Sequence, residues 1–142
     1  MATKPWHLPL RVATGAFILN SGLSKLDADE ERAKQLHAMA STAFPQFADM
    51  DPKQFATLLS TGELLLGTAL LAVPFVPPLV AGLGLVAFAT GLNRLYLKVP
   101  GMRQEDSVKP TQQGIPLAKD VWMTAIGAAL VLDSIFAPRR RR

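Results

Sequence analysis

The sequence predicts an all-α membrane protein: four transmembrane helices in a bundle, with an extra amphipathic surface helix between the first and second. Three observations carry that expectation. The stretch DPKQFATLLSTGELLLGTALLAVP opens with Asp51 and Pro52, which suit a helix cap and a first helical position, and closes at Pro74, which cannot continue a helix. The 22 residues of 52–73 would span about 33 Å at 1.5 Å per residue, matching a bilayer's hydrocarbon core. Charges cluster at 25–34, 49–53, 94–109 and 139–142, and the segments between them are mostly apolar.

Composition agrees with a small membrane protein. Of 142 residues, 49% are hydrophobic and 18% charged, with a mean hydropathy of +0.23. The net charge of +4 equals the terminal run of Arg139, Arg140, Arg141 and Arg142, so the rest of the chain is balanced and carries no nucleic-acid-binding profile. That basic tail (137–142) reads as a cytoplasmic, lipid-facing anchor. With no cysteine there is no disulfide, iron–sulfur cluster or thiol catalysis.

In chain order, Met1–Leu8 is an interfacial leader holding Lys4, Trp6 and His7. The first span is expected near 9–25. Its apolar part is as short as a signal-peptide core, but no small-residue cleavage site follows, so it is retained as a span. Gly15 and Gly22 supply positions where another helix can approach closely. From 27 to 47 the segment is too polar to span. Asp27 with Glu30 resembles a capping box, and Leu36, Ala40, Ala43, Phe44 and Phe47 recur as an apolar stripe. The second span covers 52–73. The third covers 78–98, with Gly84 and Gly91 as packing positions and Asn93, Arg94, Tyr96 and Lys98 at its polar end. A polar loop follows, and the fourth span covers 116–136, with Trp122 near an interface. The whole of 1–142 reads as one integral membrane domain.

Four spans put both termini on one side, and the arginine tail argues that this side is the cytoplasm of a bacterial inner membrane. Helical rise then assigns depths. Lys25, Arg94 and Asp120 fall about 24 Å from the inner helix ends, Asn20 and Glu63 about 15–17 Å, and Arg11 and Asp133 within about 5 Å. An outer charge cluster, a midplane Asn20–Glu63 pair and an inner Arg11–Asp133 pair result. The outer cluster reads first as interfacial side chains reaching the headgroups, and the inner pair as a structural tie. Glu63 reads first as a structural hydrogen-bonding group, with a proton or ligand site as the alternative. His7 and His37 have no second ligand at metal spacing, so no metal or other cofactor is expected, and no nucleophile–base set is present for catalysis.

LPLRVATGAFILNSGLSKL resembles the first helix of DoxX-like membrane proteins, GELLLGTALL their second, and KDVWMTAIGAALVL their last. On that resemblance Arg11, Gly22, Lys25, Glu63 and Asp120 align with the family's polar and glycine positions. It implies a four-helix membrane bundle, from a family named for a quinone-linked sulfur oxidation system. The 27–47 insert is longer than that pattern. The Ala-rich chain with its arginine tail also resembles actinobacterial proteins.

Three functional classes follow. The leading expectation is a non-catalytic accessory subunit that packs against other integral membrane subunits of a larger inner-membrane complex, for example an actinobacterial lipid importer of the mammalian-cell-entry type. The alternatives are a quinone-linked redox subunit of the DoxX kind and a small proton-coupled carrier. Membrane lipid is an expected partner in each, and nucleic acid in none.

Overall fold

The computed structural model describes residues 3–136. It is all-helical: α1 is His7–Leu26, α2 Glu30–Ala43, α3 Pro52–Leu71, α4 Pro78–Lys98, α5 Ile115–Ala118 and α6 Val121–Phe136, with a short 3-10 turn at Pro45–Phe47. The expected basic anchor, made of Arg139, Arg140, Arg141 and Arg142, lies outside the described residues.

Local chemistry explains the boundaries. Asp51 caps α3 by accepting from the backbone N–H groups of Lys53 (3.0 Å) and Gln54 (3.1 Å). The cap of α2 is Asp29 rather than Asp27; its carboxylate accepts from the Arg32 N–H at 2.8 Å, so the helix begins later than the expected 27. Helix α1 begins at His7, before the expected residue 9, because Pro9 still falls in the first turn, where its missing N–H is not needed. The helix of the expected last span is interrupted, though the stretch Ile115–Phe136 keeps the length and hydropathy of a span. At Lys119–Asp120 the bonds tighten to the i→i+3 kind, Asp120 N–H to Leu117 and Met123 N–H to Asp120, so α5 and α6 are separate pieces.

Two antiparallel pairs make the bundle. A Cβ on Gly67 would stand 2.7 Å from the Leu19 backbone nitrogen, and one on Gly22 3.0 Å from that of Leu64, so α1 and α3 pack backbone to backbone. Buried Ser60 ties the pair by donating to the Gly22 carbonyl at 2.8 Å. Helices α4 and α6 meet the same way, a Cβ on Gly82 standing 2.9 Å from the Gly127 carbonyl oxygen, and the Asn93 amide donates to Thr124 Oγ1 at 2.8 Å. Ile18, Leu70, Ala81, Leu85, Ala89 and Met123 form the shared core where the pairs meet. Helix α2 packs across α3 and α4.

Among the described residues three helical stretches are long and apolar enough to cross a membrane: Pro52–Leu71, Pro78–Lys98 and Ile115–Phe136. Helix α1, expected as a span, is not one of them. Its 20 residues would reach about 30 Å, but it carries His7, Arg11, Asn20 and Lys25. Apolar side chains are left exposed outside the bundle, among them Leu65, Phe75, Leu83 and Ile135.

Candidate functional site: an ion pair on the wall of an apolar cavity

Between the two helix pairs, beneath α2, lies a cavity of about 630 Å³. Phe44, Phe47, Phe55 and Phe88 are among the side chains that make its wall apolar. Lys25, Ser21, Glu63 and Asp120 supply its charged and hydroxyl groups.

Lys25 Nζ reaches both carboxylate oxygens of Glu63, at 3.1 and 2.9 Å. It also donates to Ser21 Oγ at 2.6 Å and to the Ser21 carbonyl at 3.2 Å. The Ser21 hydroxyl in turn donates to Glu63 Oε1 at 3.2 Å. Glu63 is 4% exposed, so its charge is tolerable only because lysine and serine replace its water. Ser21 and Lys25 sit one turn apart on α1, on the face that also carries Ile18 and Gly22, and Gly22 lets α3 come close enough for contact.

The expected pairings are therefore redrawn. Asn20 is exposed and does not meet Glu63. It shares Glu63's depth, but successive residues point about 100° apart around a helix, so its neighbour Ser21 takes the position. The outer trio of Lys25, Arg94 and Asp120 does not form a cluster. Lys25 turns to Glu63. Arg94 Nε donates to the Ala43 carbonyl at 2.7 Å, with its guanidinium 5.2 Å from the Phe44 ring centre, and so holds the end of α2 against α4. Asp120, placed by the α5–α6 break, lines the cavity, and its carboxylate has no hydrogen-bond partner among the described residues.

Arg11 does not pair with Asp133 either. It is fully buried and donates to three carbonyls: Leu70 (2.9 Å), Val76 (2.9 Å) and Ala69 (2.8 Å). Two of these are the ones α3 cannot satisfy itself. The Val73 N–H goes to Leu71, and Pro74 has none to offer. Asp133 instead accepts from Lys4 Nζ at 2.9 Å and bonds His7 Nε2 at 2.9 Å. Since His7 Nδ1 accepts the Lys4 backbone N–H (3.3 Å), Nε2 is the donor toward Asp133. No group of three or more metal-ligating side chains occurs among the described residues.

Sequence reasoning gave no polar partner to Ser21, Lys4, His7 or Asn93. The Ser21–Lys25 spacing of four was the available signal for the first. The others depend on contacts between helices and left no local trace. Of the glycines expected to pack, Gly15 and Gly22 each place a would-be Cβ 3.1 Å or less from α3 atoms. Gly84 meets only Leu66 Cδ1, at 3.0 Å, and Gly91 only Phe44 Cζ, at 3.8 Å.

The family model described as DoxX matches residues 7–93, from the start of α1 nearly to the end of α4. The chain belongs to the DoxX family. It is a multi-pass membrane protein of the DoxX kind, in contact with membrane lipid. The matched DoxX segment contains Arg11, Ser21, Lys25 and Glu63; Asp120 lies beyond it. No curated protein and no solved structure gave a match.

Proposed function

We propose that the protein is a quinone-linked redox subunit of a bacterial inner-membrane complex. It holds a bilayer-dissolved quinone in the cavity while a partner subunit supplies the electrons. The observation that carries this reading is the buried Lys25–Ser21–Glu63 network on an otherwise apolar wall. A quinone oxygen accepts hydrogen bonds, and Lys25 can offer one by releasing both its contacts to Ser21 while keeping Glu63. Reducing a quinone consumes two electrons and two protons. Glu63 and Asp120 are the two carboxyl groups on the wall that would pass the protons, and the chain has no cysteine with which to hold an iron–sulfur centre of its own. A purely accessory role, in a lipid importer or elsewhere, would leave the cavity and its ion pair without a task.

In this reading α1 crosses beside α3 as the fourth span, and both termini face the cytoplasm with Arg139, Arg140, Arg141 and Arg142 against the inner leaflet. A C-terminal reporter active only in the periplasm would overturn that orientation. Function is tested by titrating a quinone with a decyl tail into the purified protein in lipid nanodiscs. Saturable binding is expected, weakened at least about tenfold by Glu63→Gln, which leaves Lys25 without its counter-charge. No saturable binding to the wild type would sink the reading.

A further inference from the structure

The glycines of the helices differ in what an added side chain would meet, with Gly84 and Gly91 facing only the tips of Leu66 and Phe44. At Gly15, Gly22, Gly67, Gly82 and Gly127 an added Cβ would come within 3.1 Å of a neighbouring helix, so a side chain there would push the helices apart. At Gly62 the added Cβ meets nothing within 4 Å. Glycine in a helix interior is less stable than alanine, because it loses more backbone freedom and brings no contact. The fold therefore gives no reason for a glycine at 62, in the middle of α3 and immediately before Glu63.

The cavity supplies one. Gly62 is exposed, as are Phe17 (64%) and Leu58 (52%), yet all three also line the cavity that holds buried Glu63. They mark its mouth, and two of them, Leu58 and Gly62, belong to Pro52–Leu71, a helix long and apolar enough to cross a membrane. We propose that Gly62 is the passage for the ligand's tail: the molecule comes sideways from the bilayer, sets a polar head against Lys25 and Glu63, and lays an apolar tail over the bare Gly62 backbone between Phe17 and Leu58. This rests on the quinone-site reading and adds to it the direction of approach and the residue over which the tail lies. A side chain at 62 would fill the exit and leave the head site intact.

The test compares two quinones with the same ring, one bearing a decyl tail and one tail-less, on wild type, Gly62→Ala and Gly62→Leu in nanodiscs. Gly62→Ala should raise Tm by about 2–4 °C, since it adds helix propensity where nothing clashes. Gly67→Ala, the packing control, should lower Tm. Gly62→Leu should weaken the tailed quinone at least about tenfold, the scale of a misfit group in a pocket, while the tail-less ring binds as to the wild type. Equal loss of both quinones by folded Gly62→Leu, unchanged binding of both, or a fall in Tm for Gly62→Ala would each overturn the proposal. If wild type binds neither quinone, the functional reading falls and the tail passage with it. Wild-type binding without the tail-specific loss refutes the passage alone.

Discussion

Arg11 and Lys25 are two cations on the same helix, about 21 Å apart along its axis at 1.5 Å per residue, and they have opposite surroundings. Arg11 is closed in. Its guanidinium is spent on three backbone carbonyls, two at the end of α3 and one at Val76, and it is fully buried away from the wall of the cavity. Lys25 is held by an equally complete set of bonds, but its partners are side chains and its network forms part of a cavity wall. The difference shows what separates a structural charge from a usable one. Backbone carbonyls cannot titrate or turn away, so the Arg11 end is a fixed lock. A serine, a lysine and a carboxylate facing free space can exchange partners.

The largest effect should come from breaking the lock. Arg11→Leu leaves the Ala69, Leu70 and Val76 carbonyls buried without a donor, and should cost about 3–5 kcal/mol, seen as lost thermal stability in detergent and lower yield. A Tm within a few degrees of wild type would mean these carbonyls find other donors. Next, Lys25→Met strands the Glu63 carboxylate and should cost about 3 kcal/mol in the same assay.

The sharper version replaces both partners. Lys25→Met with Glu63→Leu removes two charges together, so stability should return to within about 1 kcal/mol of wild type while quinone binding stays lost. Were the double variant as unstable as Lys25→Met alone, the pair would belong with Arg11 as a structural tie. The smallest effects concern the α2 roof over the cavity. Arg94→Ala removes the bond to Ala43 and the contact with the Phe44 ring, and should cost about 1–2 kcal/mol, read as faster hydrogen exchange in α2. Asp29→Ala should cost about 1 kcal/mol through the lost cap, with faster exchange confined to the first turn of α2.

Much of this was legible in one dimension. The range Pro78–Lys98 and the cap at Asp51 follow from proline, aspartate and apolar runs, which act within a few residues. Arg11, Lys25, Glu63 and Asp120 stand out because a charge in an apolar run demands an explanation wherever the helix ends up. What the sequence by itself could not determine is rotation about the helix axes. Depth places Asn20 level with Glu63, but packing of Gly22 and Gly67 between α1 and α3 turns Ser21 and Lys25 inward and leaves Asn20 outside. Only the tertiary structure gave Arg11 the α3 carbonyls, and Asp133 the Lys4 and His7 side chains. The same holds for the cavity, since no residue encodes an empty space. It forms because two tightly packed helix pairs meet while α2 bridges them, a consequence of shapes fitting across distances that no local pattern spans.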